Sequence, residues 1–347
     1  MGEEAYTTFE NTNVTVDEIL KCSFSNWCGL FNDNLYPYRV INPLPPSFID
    51  YLLSDGIKLA TSQNTLQQTS DNEYSDWEED DVDESEPVHL KFIDLHDQIN
   101  KYVGELGGKV IPKLNWSTPK DASWLMPGNT IRSIEANDIY LLLKSSDHII
   151  DDLLYPFSEV GNAKEVKVSY ELVLKKWVDI NPALEFRVFV NEGKILGISQ
   201  RDLNYYDFLK DLESELNSRI SSFVYDEVTP KFTKLGLGKF ILDVYVPRPF
   251  NKVCIVDVNP FQRKSDSLLF TWNELLIRHP EADDDYDFRL INETNLGAFA
   301  KKQHSESQVP IDVVGAANDT EALINLAREW DKLQAKEGIS EKDEESS

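Results

Sequence analysis

The chain has 347 residues, enough for one large domain or two modest ones, and 41% of them are hydrophobic, so it can bury a core. Its 34 Lys and Arg against 61 Asp and Glu give a formal charge of −27, which argues against a general nucleic-acid binder because phosphate needs counter-charge. Three cysteines (Cys22, Cys28, Cys254) with no CxxC pair, and five scattered histidines, argue against a disulfide framework and a structural zinc site.

The first residues, Met-Gly-Glu-Glu-Ala-Tyr, are acidic and lack an apolar signal region. Tyr6 stands where N-myristoylation requires Ser or Thr. No apolar run reaches the ~18 residues of a membrane span. The expectation is a soluble cytoplasmic protein without membrane contact, and the high net charge favours a monomer.

In chain order, Phe24, Trp27, Leu30 and Phe31 fit one helical face. Asn42-Pro43-Leu44-Pro45-Pro46 breaks the chain, Ser47 can cap a helix through Tyr51–Leu53, and Asp55-Gly56 marks a turn. Between Asp71 and Glu86 there are ten carboxylates and no Lys or Arg, which predicts a disordered acidic loop over about 61–87. Phe92–Leu106 has helical spacing and ends at Gly107-Gly108, a C-cap signal. A strand begins at Lys109-Val110-Ile111, and Ile139–Leu143 and Ile149–Leu154 suggest helices and short strands.

Strand patterns then become dense: Tyr170–Val178, Glu185–Val190, Lys194–Ser199, Phe240–Val246 and Val253–Val258, with a long helix over Tyr206–Phe223. Hairpins interrupted by a helix fit an α+β fold better than a doubly wound parallel sheet. Glu281–Asp287 reads as a second acidic loop. Leu323, Leu326, Ala327, Trp330 and Leu333 form a helical stripe over 319–333, and the end of the chain is charged. The predicted division is an N-terminal lobe (1–165), a C-terminal lobe (166–300) and a tail (301–347).

Three segments have chemistry-bearing residues. Asp243 lies in one predicted strand, and Asp257 and Asn259 share a face of the next. Either these side chains face solvent, or they face one another and need a cation; oxygen donors of this kind suit magnesium. Lys113 ends a strand and precedes the small-residue run Asn115-Trp116-Ser117-Thr118-Pro119, so it is either a surface lysine or a phosphate ligand. The Walker pattern is absent. Glu185 and Arg187 share a strand face, either as an exposed ion pair or as ribose and phosphate ligands, and Arg201 follows the next strand.

The order of these segments resembles the ATP-grasp enzymes, including the D-alanine–D-alanine ligases. The stretches PKLNWSTPKDASW, LLLKSSDHI, YELVLKKWVDINPALEFRVFV, ILGISQRD and IVDVNPF, together with CSFSNWCGLF near the N-terminus, resemble more closely the eukaryotic cell-division-cycle protein 123 family. That family is an ATP-grasp assembly factor for translation initiation factor 2, which binds its gamma subunit and promotes joining of the alpha subunit. The resemblance implies an α+β ATP-grasp fold with two lobes that clamp ATP. It puts Lys113 on phosphate and makes residues 117–122 the covering loop, with Ser117 and Ala122 at ATP. Adenine would lie against Lys176 and Val178, beside Lys175 and Trp177, with ribose on Glu185. Arg187 and Arg201 would stand by the triphosphate, and Asp243, Asp257 and Asn259 would hold Mg²⁺.

The reading that follows is an ATP- and magnesium-binding assembly chaperone for translation initiation factor 2, with its gamma subunit as partner and roles in initiation and the cell cycle. The alternative is an ATP-dependent carboxylate–amine ligase acting through an acyl-phosphate. No acceptor pocket is legible, so catalytic activity is left open. A degenerate scaffold without nucleotide is disfavoured by the presence of Lys113, Asp243, Asp257 and Asn259.

Overall fold

The dense alternating runs of the second half form strands within about two residues of their expected bounds. In the computed structural model, residues 12–56, 88–160 and 166–292 are described. The acidic loop expected over 61–87, the helix expected over 319–333 and the charged end lie outside the described residues.

Strands β1 (Tyr38–Ile41), β2 (Val110–Lys113) and β3 (Leu172–Lys176) form an antiparallel sheet in the order β1-β3-β2. Strands β4 (Glu185–Asn191), β5 (Lys194–Gln200), β6 (Lys239–Tyr245), β7 (Cys254–Asn259) and β8 (Asp287–Arg289) form a second sheet in the order β7-β6-β4-β5-β8. All its pairs are antiparallel except β5 with β8. The β4–β5 connection is the two-residue turn Glu192-Gly193, both at positive φ (50° and 79°), which suits the twist of a tight hairpin. The architecture is α+β, as expected from the dense hairpins.

One face of the five-stranded sheet buries Phe186, Val188, Val190, Ile198, Phe240, Leu242 and Val258. The continuous helical stretch from Leu209 to Leu235, with one π turn at Val224–Val228, belongs to this core through Leu216, Ile220, Val224 and Phe232. On the opposite face Phe189, Leu196 and Ile241 are covered by Phe261, Phe270 and Leu275. A Cβ at Gly197 would lie 2.4 Å from the Phe270 ring, so this close approach requires glycine.

The three-stranded sheet buries Ile41, Val110, Leu172 and Leu174 together with residues of the helices Pro46–Leu53, Ile93–Glu105, Ala136–Lys144 and Asp147–Leu154. The helix after Phe92 ends as expected: Gly107 and Gly108 have φ of 94° and 78°, and the Gly108 N–H donates to the Val103 carbonyl at 2.8 Å.

Several local expectations need correction. Ile139–Leu143 and Ile149–Leu154 lie entirely in helices. Ser47 sits inside the helix Pro46–Leu53, where Pro46 starts the first turn, and its hydroxyl donates to the Lys91 carbonyl. Leu30 is exposed because the helix stops at Trp27 and the 3₁₀ turn Cys28–Leu30 rotates it off the stripe of Phe24, Trp27 and Phe31. Strands β1 and β8 had no expectation behind them; β8 starts on the last residue of the supposed loop Glu281–Asp287.

The boundary expected at residue 165 also differs from the structure. β3 lies beyond it yet is the central strand of the first sheet. Ile19, Phe24 and Phe31 lie before it yet belong to the core of the second sheet, with Phe31 against Phe232 at 5.3 Å. The chain as a whole divides into Met1–Ile291 and Asn292–Ser347.

Candidate functional site

Strand register lines up the charged residues of the second sheet. Asp257 of β7 pairs with Asp243 of β6, Asp243 with Arg187 of β4, and Arg187 with Ser199 of β5. Successive side chains alternate across a sheet, so these four share the face opposite the main core. Asn259, two residues beyond Asp257, joins that face opposite Ile241. Phe186, Val188, Leu242, Val244 and Val258 alternate with these charged positions and point the other way. The apolar residues therefore fix which face carries the charges.

Each carboxylate meets at least one cation. Arg187 Nε and Nη2 donate to Asp243 Oδ1 and Oδ2 at 2.7 and 2.8 Å, a bidentate pair, and Arg187 Nη1 donates to the Asp266 carbonyl at 2.7 Å. Arg201 Nε lies 3.4 Å from Asp243 Oδ2, and its Nη1 lies 3.6 Å from Glu185 Oε2. Burial by itself would raise the Asp243 pKa, but the Arg187 guanidinium, helped by Arg201 and Lys120, holds it well below the usual carboxylate range.

Asp257 takes its partners from the other sheet. Lys113 Nζ, at the end of β2, donates to Asp257 Oδ2 at 2.9 Å and to the Trp116 carbonyl. Lys175 of β3 lies 3.7 Å from Asp257 Oδ1, donates to the Val256 carbonyl at 2.7 Å, and stands over the Phe24 ring at 5.0 Å. Burial lowers its pKa to about 8; Asp257 works against that shift and Lys113 adds to it. Lys113 is fully buried, so the surface-lysine alternative does not hold.

The structure thus brings together Lys113, Lys175, Arg187 and Arg201 with Glu185, Asp243 and Asp257. Four cations face three carboxylates in a chain whose formal charge is −27. The remaining expected residues are arranged around them. Ser117 opens the loop after β2; its N–H is held by Asp152 at 2.9 Å. Ala122 is fully buried with Met126 and Leu142, and its N–H bonds the Pro119 carbonyl, so it supports the loop from beneath. Lys176 is exposed and its N–H is spent on the Pro37 carbonyl. Trp177 and Val178 are half-buried, and the Trp177 indole donates to Asp179.

The expected residues also suit magnesium by the chemistry of their donors. Asp243, Asp257 and Asn259 offer oxygen atoms on one sheet face, and the half-buried Asn259 side chain makes no hydrogen bond to the described residues. Among the described residues no group of three His, Cys, Asp or Glu forms a metal cluster, so a hard cation here would rely on this mixed set and on ligand oxygens. No described helix is long and apolar enough to cross a membrane.

Residues the sequence reading missed lie behind this face. Asp121, Asp152 and Glu171 are buried carboxylates, and each accepts hydrogen bonds from backbone N–H, hydroxyl or amide groups. Their only signal in the sequence was an acid inside an apolar helix or loop, as for Asp152 in Ile149–Leu154.

The D123 family model matches residues 27–317, most of the chain. The chain belongs to the D123 family. Among D123 relatives, the translation initiation factor eIF2 assembly protein of Lodderomyces elongisporus is 59% identical over 97% of this chain and 96% of its own. Cell division cycle protein 123 of Candida glabrata is 47% identical over 99% of this chain and 100% of its own. A solved D123 structure, Cdc123 from Schizosaccharomyces pombe, is 32% identical, with a TM-score of 0.65 over 83% of this chain and 100% of that one. The family expected from the sequence motifs is therefore the family shown.

Proposed function

We propose that this chain is an assembly factor for translation initiation factor 2 whose fold is an ATP-grasp frame holding ATP and Mg²⁺. The observation that carries the nucleotide half is the group of four cations interleaved with three carboxylates, with Lys113, Arg187, Asp243 and Asp257 buried and Lys175, Glu185 and Arg201 half-buried, where two sheets meet in an otherwise acidic protein. Burying so many charges is costly unless they are paired, and a set of cations with oxygen donors for a metal is what a triphosphate requires. Lys113, Lys175, Arg187 and Arg201 would face the phosphates, Glu185 the ribose, and the strand end Lys176–Val178 the base. Ser117 and Ala122 would frame the covering loop. Asp243, Asp257 and Asn259 would hold Mg²⁺, which when bound offsets phosphate charge.

The assembly half is supported by the relatives' names and their full-length match. A surface this acidic suits a basic protein partner and steers its approach. The proposed partner is the gamma subunit, and the proposed setting is the cytoplasm, with the chain as a monomer. Pull-down of the isolated gamma subunit by the full chain, with and without ATP and Mg²⁺, tests this reading. Retention that depends on nucleotide is expected. Loss of all retention would reject the partner, and rapid phosphate release dependent on an added amine would favour a ligase instead.

A further inference from the structure

The loop over 260–266 meets the charged face at both of its ends. It leaves β7 directly after Asn259. At its far end the Asp266 carbonyl accepts Arg187 Nη1 at 2.7 Å, which fixes the guanidinium plane that holds Asp243. Inside the loop the Pro260 carbonyl accepts the Gln262 N–H at 2.9 Å, and the Gln262 carbonyl accepts the Ser265 N–H at 3.0 Å. One side of the loop is anchored on the core. Phe261 is buried edge-on against Trp272 at 5.2 Å, and the Trp272 indole donates to the Ser265 carbonyl at 3.1 Å.

The other side is held by one carboxylate from a distant part of the chain. Glu159 Oε2 accepts the Arg263 N–H at 2.9 Å, and Glu159 Oε1 accepts the Lys264 N–H at 2.8 Å. Successive backbone N–H groups make a concave site for an anion, and here the two oxygens of one side chain take one N–H each. Thr12 Oγ1 also donates to Glu159 Oε2 at 3.4 Å. Lys264 Nζ donates to the Tyr155 carbonyl at 2.8 Å, so the segment 155–160, after the helix Asp147–Leu154, is tied to the loop twice.

Phe261 and Trp272 keep the loop packed whether or not its polar side is held. The Glu159 contacts add a fixed backbone path between Asn259 and Asp266, and with it the placing of the Asn259 amide and of the carbonyl that orients Arg187. We infer that Glu159 is a positioning residue for the magnesium-binding end of the site: it clamps the loop so that Asn259 and Arg187 stand where a nucleotide-bound cation needs them. This rests on the nucleotide reading proposed above.

The test uses the full chain. Calorimetric titration of ATP with and without Mg²⁺ gives the factor by which Mg²⁺ strengthens binding, and hydrogen exchange reads the Arg263 and Lys264 amides. Residues that orient a metal's ligands are worth about tenfold or more in metal affinity. Glu159→Ala is therefore expected to reduce the Mg²⁺ factor about tenfold, to change Mg²⁺-free ATP binding less than about threefold, and to speed exchange of both amides. Glu159→Gln, which keeps one acceptor oxygen, is expected to fall between Glu159→Ala and the wild type. Adding Glu159→Ala to Asn259→Ala should lower the Mg²⁺ factor by less than about twofold more, because both changes act on the same ligand.

Faster amide exchange with an unchanged Mg²⁺ factor would overturn the inference and leave Glu159 as a structural tie only. So would unchanged exchange in Glu159→Ala, or losses that multiply in the double variant. Should Glu159→Ala not fold, Glu159→Gln carries the same comparison. If the wild type binds no ATP, the nucleotide reading fails and this inference with it; ATP binding in the wild type with the Mg²⁺ factor kept in Glu159→Ala overturns this inference alone.

Discussion

Lys113 and Asp257 meet at 2.9 Å although 144 residues separate them, one closing the strand β2 and the other in the middle of β7. The pair ties the two sheets together at the point where the cations and carboxylates collect. Lys113 is fully buried and its remaining donors reach the Trp116 carbonyl, so the pair also sets the start of the loop after β2.

Removing one partner leaves the other buried without compensation. Lys113→Met is expected to lower stability by about 3 kcal/mol, the low end of such losses because Lys175 stays 3.7 Å from Asp257. Adding Asp257→Asn to it should restore part of that loss. Urea unfolding of the four proteins in the cycle measures the coupling; purely additive effects would show that the pair does not join the sheets.

Two buried carboxylates make opposite contributions to acid stability. Burial raises the Asp152 pKa to about 6, against about 3.9 in the unfolded chain. The folded state therefore holds that proton more tightly, and the Asp152 contribution falls as pH rises from about 4 to about 6, then stays level. Asp243 is held low by Arg187, so its contribution is present above about pH 4 and is lost as pH falls further. Asp152→Asn should remove the first component, changing the stability difference from wild type by about 2–3 kcal/mol between pH 4 and 7. A constant difference across that range would contradict the assignment.

Lys175 titrates near neutrality for a lysine, with its pKa lowered to about 8 by burial. Its charge in the free protein therefore falls away above that pH. Affinity for ATP with Mg²⁺ is expected to drop between pH 7.5 and 9. Lys175→Met should bind more weakly at pH 7 and show a flatter profile. Parallel profiles for the two proteins would remove Lys175 from the phosphate-facing set.

Gly197 is the place where the sheet admits no side chain. Gly197→Ala would put a methyl group 2.4 Å from the Phe270 ring, an overpacking expected to cost about 1–3 kcal/mol. Trimming the ring with Phe270→Leu in the same protein should recover much of that loss. Thermal melts of the single and double variants check it, and an unchanged melting temperature for Gly197→Ala would mean the two groups are farther apart.

Much of this site could be read from residue order, because β-alternation is a local property. Asp257 and Asn259 had to share a face once Val256 and Val258 were placed in a strand, and Asp243 in the preceding predicted strand was free to face either them or solvent; the register of β6 with β7 sets it opposite Asp257. The cation partners were less legible. Arg187 meets Asp243 through a register between strands more than fifty residues apart, and Lys113 meets Asp257 across sheets; neither pairing leaves a trace in local spacing. β1 was missed because Tyr38–Ile41 is short and acquires its hydrogen bonds only from β3, more than 130 residues later. β8 has three residues and pairs in parallel with β5, so neither hairpin nor alternation announces it. The hydrogen bonds that Asp152 accepts from Ser117 and Asp121 accepts from Ser146 appear only when the helix Asp147–Leu154 is set against the loop after β2.

The most direct measurement is calorimetric titration of the full chain with ATP in the presence and absence of Mg²⁺, repeated on Asp257→Asn and on Asp243→Asn. Saturable binding that is strengthened by Mg²⁺ in the wild type is expected, with a higher melting temperature through linkage, and with the Mg²⁺ effect lost in both variants. Equal affinity with and without Mg²⁺, or a full Mg²⁺ effect in both variants, would contradict the assignment of these carboxylates; no binding at all would contradict the site itself.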